Sequence, residues 1–294
     1  MTHLSRKHNI AHAEQLELRI LPTVKVNFNP NNGLLKITGD NSNNIVEIDG
    51  LAFSDLELFI DGNLFDQFDN VQKIKVNLKG GDDQFHISAF QYNGTTSVKF
   101  GQGADLLDID DEINLGSGAD VRTEIRDFKA DFGGNAGDLA QMDGGVEIQG
   151  DVEIKRVADV DCDGDGIDST VENDDVQFKG DTVIQLSGLG DVDGDGFEVE
   201  LDNIFASGGD VFLIVGSNFT DRINISRSKS QGDFKIDLRN GDDLLRVDNG
   251  GVLKNSFINN LSLFDGGAGD DTLLLGVDND FGSPPTILNF ETVV

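Results

Sequence analysis

One short pattern returns throughout this chain and restricts what it can fold into. A turn rich in Gly and Asp closes on an Asp or Asn, and an alternating apolar–polar run follows at once. The instances are DNSNNIVEI, KGGDDQFHI, GQGADLLDI, GNAGDLAQM, FKGDTVIQL, SNFTDRINI, RNGDDLLRV and GGAGDDTLLL. A period of two sends alternate side chains to opposite faces of a strand, and Gly with Asx supplies tight turns between strands. Further runs such as VKVNF, LLKITG, KIKVNL, FEVEL and FKIDL keep the same period. No segment beyond residue 25 carries a convincing helical period, so the chain is expected to be all-β.

The closing Asx residues form two series. Asn44, Asp83, Asp105 and Asp138 are spaced by 39, 22 and 33 residues; Asp181, Asp221, Asp243 and Asp271 by 40, 22 and 28. The series match in order, and roughly 27–142 and 174–282 read as a duplicated unit. The organisation expected is an N-terminal segment over 1–24, a first β repeat over 25–150, an acidic region over 151–205, and a second β repeat over 174–294 that this region overlaps. A unit near 20 residues cannot bury its own apolar face, whereas stacked units can. The fold expected is a right-handed parallel β-solenoid built from two diverged repeats. The alternative is a pair of tandem β-sandwiches.

Charge narrows the function. Asp plus Glu number 54 against 22 Lys plus Arg, a formal net charge of −32. Phosphate backbones and anionic membranes need clustered Lys and Arg, so nucleic acid and membrane surfaces are disfavoured partners. No apolar run reaches the 18 or more residues of a spanning helix, so membrane insertion is not expected. Self-repulsion on this scale opposes a compact state, and divalent cations are the obvious means of neutralising it. The single cysteine, Cys162, allows no intrachain disulfide and no Cys-based zinc cluster.

The acidic region carries the strongest chemical signal. With Asp161 as position 1, Asp163 stands at 3, Asp165 at 5, Gly166 at 6 and Glu172 at 12. A second copy has Asp191, Asp193, Asp195 and Gly196, with Asp202 at position 12. In such a loop alternate carboxylates point to one side, Gly permits the sharp turn, and a late acidic residue closes the sphere around Ca²⁺. Hard oxygen donors select Ca²⁺ over softer metals. The eight candidate ligands are therefore Asp161, Asp163, Asp165, Glu172, Asp191, Asp193, Asp195 and Asp202. The competing reading is a pair of acidic solvated turns.

These loops resemble the isolated DxDxDG calcium loops of dockerins and bacterial thrombospondin type 3 repeats. Their flanks, DTVIQL and FEVEL, read as strands, unlike those of a helix-flanked EF-hand pair. Gly266 to Leu274, GGAGDDTLL, resembles the GGxGxDxUx nonapeptide of RTX calcium β-rolls, although no tandem copy follows it. Without tandem copies, structural Gly-Asx corners are the favoured reading there. The segment LELRILP, Leu16 to Pro22, resembles the N-terminal signature of planctomycete LEPR-XLL extracellular proteins, with Leu18 where that pattern has Pro. That resemblance implies a secreted, repetitive surface protein, against the absence of a clear hydrophobic signal core.

No GxSxG, HExxH or P-loop occurs, there is no Trp, and Tyr92 is the single Tyr. His86 alternates with Phe85 and Ile87 and reads as a solvent-facing strand residue. Cys162 lies among carboxylates that raise a thiol pKa, which disfavours a nucleophile. The expectation is a non-catalytic, calcium-binding structural protein, extracellular or at the cell surface. The alternatives are a calcium-dependent adhesion module, with cell-surface glycans or a second copy as partner, and a β-helix polysaccharide lyase or glycosidase.

Overall fold

The computed structural model describes residues 24–114, 119–163, 176–187, 196–209, 211–247, 256–257, 261–276 and 279–294. Of these, 64% lie in strands and none in a helix. The all-β expectation therefore holds, and most strand pairs are parallel. Antiparallel pairing among the described residues is confined to Lys25–Asn29 with Leu34–Thr38, the meander Ile45–Ala52, Asp55–Ile60 and Asn63–Phe68, and the hairpin Glu112–Asn114 with Ala119–Val121.

The parallel strands form three rows. The first runs Ile45–Ala52, Gln84–Ser88, Leu106–Asp110, Leu139–Asp143, Asp159–Asp163, Phe197–Asp202, Asp221–Ser226, Leu244–Val247, Thr272–Leu275 and Thr292–Val293. The second consists of short strands, from Val146–Ile148 to Asp280–Phe281. The third begins at Leu34–Thr38 and ends at Thr286–Leu288. The long strand Thr123–Asp131 joins the last two, pairing with Val146–Ile148 by its first residues and with Val152–Val157 by its last. From Leu139 onward the chain visits first, second and third row in fixed rotation.

Parallel register turns alternation into columns, because each inward side chain sits on its counterpart one strand along, ~4.8 Å away. In the first row Val46, Phe85, Leu107, Ala140, Val160, Val199, Ile223, Leu245 and Leu273 align, and all are buried. In the third row Val76, Val98, Ala130, Ile154, Ile184, Ile214, Ile236 and Phe264 do the same. Aromatic rings stack beside them: Phe100 on Phe132 at 4.6 Å, and Phe212 on Phe234 at 5.1 Å.

The Gly-Asx corners have a definite place. Seven of the eight closing Asx residues stand at the start of first-row strands, six immediately before the strand and Asp221 as its first residue, and form one buried column: Asn44, Asp83, Asp105 and Asp138, then Asp221, Asp243 and Asp271. Within each half, the backbone N–H of one member donates to the carboxylate of the next. Asn44 donates to Asp83 at 2.8 Å, Asp83 to Asp105 at 2.9 Å and Asp105 to Asp138 at 3.1 Å. Asp221 donates to Asp243 at 2.8 Å, Asp243 to Asp271 at 2.9 Å, and Asp271 to Glu291 at 2.8 Å. Between the two halves, continuing the register by one residue back from Leu139 and by two back from Val160, the column passes through Ala158 and Phe197.

Asp181 departs from the expected series. It precedes the third-row strand Thr182–Leu186, is exposed, and accepts from the Val211 N–H at 3.1 Å. Its corner chemistry is the same, but it serves another row. Spacing alone does not distinguish the rows, because a Gly-Asx turn can open any strand.

Candidate metal centre

Of the eight candidate ligands, Asp165, Glu172, Asp191, Asp193 and Asp195 lie outside the described residues. Asp161, Asp163 and Asp202 lie within them, and all three are in strands. Asp161 and Asp163 belong to Asp159–Asp163, and Asp202 ends Phe197–Asp202. The sequence reading starts a loop at Asp161, whereas the extended backbone continues through Asp163. The reason is packing. Val160 and Cys162 are inward members of first-row columns, and pairing with Gln141–Asp143 on one side and Glu200–Asp202 on the other holds the segment straight.

The two acidic segments meet on one outward face. Asp161 pairs with Glu200, and Asp163 with Asp202. On the other side Asp161 faces Gln141 and Asp163 faces Asp143. The beginning of the first loop pattern and the end of the second are thus on neighbouring strands, although 30 residues separate the two patterns in sequence. Asp143 and, one strand further, Asp110 and Asp108 extend the acidic patch.

Asp143, Asp110 and Asp108 are absent from the DxDxDG patterns. Their signal was a carboxylate at or near the end of successive first-row strands, in LLDID, LAQMD, DVDCD and FEVELD. It becomes meaningful only once parallel register is known.

The electrostatics match a face short of positive charge. Burial raises the Asp161 pKa, and Glu200 and Asp163 add repulsion. Asp143 is pushed up to about 6, first by burial, with Asp108, Asp161 and Asp163 adding to it against a Gln141 hydrogen bond. Asp110 is pushed up to about 7 by burial and then by Asp108, Asp111 and Asp143, with His86 opposing. His86 is half-buried, a partial departure from the solvent-facing expectation. Its Nδ1 lies 2.9 Å from Asp108 Oδ2, and its Nε2 3.3 Å from Gln84 Oε1. The Asp108 hydrogen bond raises its pKa above the ordinary imidazole value.

Asp202 is differently placed. Its carboxylate accepts from Ser226 Oγ at 2.7 Å and from Arg227 Nε at 2.7 Å, with a second guanidinium nitrogen also in contact. As a ligand it would share its oxygens with Arg227. Cys162 is fully buried, and burial first, then Asp161, Asp143 and Asp163, push its thiol up. Among the described residues no three His, Cys, Asp or Glu side chains converge closely enough to hold a metal ion. Asp161 and Asp163 present oxygen donors to one side of a strand, the donor type Ca²⁺ takes. The remaining ligands of a six- to eight-oxygen sphere would come from the rest of the two patterns. No protein-family model, curated protein or solved structure matches the chain.

Proposed function

We propose that the protein is a calcium-stabilised, non-catalytic scaffold of the extracellular space or cell surface. The reading that fits best with its strand rotation is a right-handed parallel β-solenoid whose three rows are its walls. Three parallel rows visited in turn favour this over tandem sandwiches, whose strands pair antiparallel. The right hand follows from the strong preference of parallel crossovers.

The observation that carries the calcium reading is the pairing of Asp161 with Glu200 and of Asp163 with Asp202. Neighbouring strands bring the beginning of the first pattern and the position-12 Asp of the second together on a face where half-buried carboxylates already repel one another. A divalent cation relieves that repulsion, and removing it leaves a chain of charge −32 to hold itself together. Extracellular calcium modules bind with dissociation constants on the order of 10⁻⁴–10⁻³ M, which suits a compartment where calcium is abundant.

Thermal unfolding followed by far-ultraviolet circular dichroism tests this reading. Calcium at a hundredfold excess over the dissociation constant stabilises by about 2.7 kcal/mol per site. The midpoint is expected to rise on moving from chelator to millimolar calcium, and Asp161→Ala with Asp163→Ala to lose part of that rise. An identical midpoint in chelator and in calcium would remove the reading.

A further inference from the structure

The corner column contains carboxylates that the calcium reading does not use. Asp83, Asp105, Asp221, Asp243 and Asp271 are each at most 2% exposed. One oxygen of each accepts a backbone N–H. The other, Oδ2 of Asp83, Asp105, Asp243 and Asp271 and Oδ1 of Asp221, is buried without a hydrogen-bond partner. A buried ionised oxygen without a partner is strongly disfavoured, because it has given up its hydration for nothing in return. Successive members also lie one strand spacing apart, ~4.8 Å, where like charges repel strongly.

We propose that this column holds protons in the folded protein, so that mild acid stabilises the fold and rising pH weakens it. A neutral carboxyl still accepts the neighbouring N–H through one oxygen and carries its proton on the other. The column itself supports a neutral occupant: its first member is Asn44, an uncharged amide of the same shape, hydrogen-bonded to Asp83. Where the column passes through Ala158 and Phe197 it is apolar outright.

The surrounding charges point the same way. Asp83 faces Asp40 and Asp82, and Asp105 faces Asp82 and its column neighbours Asp83 and Asp138. Asp243 faces Asp242 and its neighbours Asp221 and Asp271, while Asp271 faces Asp242, Asp270 and Glu291. The cations acting on the column are Arg156, toward Asp138, and Arg239, toward Asp221. Asp138 also faces Asp159 and has both oxygens bonded, to the Asp105 and Asn135 N–H groups. Burial is the leading cause throughout: Asp105, Asp138, Asp221 and Asp243 are pushed up to about 7 and Asp83 to about 6.

The sign follows from linkage. The unfolded chain releases these protons near 3.8, the ordinary carboxyl value, and the folded chain keeps them to about 6 or 7. Between those values the folded state binds more protons, so this contribution is complete below about 4 and is lost as pH rises through the folded values. Ordinary acid denaturation runs the other way.

Urea unfolding in chelator at pH 6 and pH 8 provides the test, on the parent chain and on Asp105→Asn with Asp243→Asn. Between these pH values, carboxylates of ordinary pKa stay ionised. A group titrating near 7 should make the folded-to-unfolded ratio about tenfold higher at pH 6 than at pH 8. The double variant should lose about a hundredfold of the parent's pH dependence and be the more stable of the two at pH 8. A parent chain more stable at pH 8, or a variant that keeps the whole dependence, overturns the proposal. Infrared spectroscopy of the parent at pH 6 reads the same property without mutation: a protonated-carboxyl C=O band is expected, and its absence contradicts the proposal.

Discussion

Replacing Phe100 with alanine is expected to remove about 3–5 kcal/mol of stability, the largest effect of any single substitution considered. Phe100 is fully buried and stacks on Phe132, also fully buried, at 4.6 Å with the rings 16° from parallel. The cost combines lost transfer of the ring from water with the cavity left behind. That cavity cannot easily collapse, because the strands above and below are held at fixed spacing by ladder hydrogen bonds. Urea unfolding should show a large fall in midpoint with little change in slope, the mark of altered stability at unchanged cooperativity. A loss below about 1 kcal/mol would mean that the inward columns are not close-packed.

Gly103→Ala should destabilise the fold by about 2–4 kcal/mol, through backbone strain and overlap together. Gly103 has φ +140, and a methyl group there would lie 1.9 Å from the carbonyl oxygen of Gly81 in the preceding corner. The obstacle is backbone, so no side chain can swing aside. Gly62 is the natural control. Its φ is +71, but no atom lies within 4 Å of an added methyl, so Gly62→Ala carries the conformational cost alone. Thermal unfolding of the two variants separates the contributions. Equal shifts would show that close stacking of corners is not what selects Gly at position 103.

Alternation and the Gly-Asx corners made much of this architecture legible. Val46, Phe85, Leu107 and their successors are inward because they alternate with polar residues, and that is visible without coordinates. Row membership is not. Asp181 and Asp221 follow similar turns, yet one opens a third-row strand and the other joins the buried column. The antiparallel start is equally hidden, since KVNFN and LLKIT have the same alternation as the parallel strands that follow.

The acidic region was legible in composition and misleading in local structure. A DxDxDG pattern reads as a loop from its first Asp, but Val160 and Cys162 belong to the core and keep Asp161 and Asp163 in a strand. Asp143 and Asp110 join the same face through pairings that no local spacing reveals. The orphaned column oxygens were beyond reach as well, because they depend on which neighbour each carboxylate meets.

Whether the acidic segments bind calcium is read by calorimetric titration of the chelated protein, with Asp161→Ala plus Asp191→Ala as the comparison. Saturable binding at submillimolar to millimolar calcium is expected, weakened in the double variant while the far-ultraviolet spectrum keeps its strand signature. No heat of binding up to several millimolar, or binding unaffected by both substitutions, would contradict it.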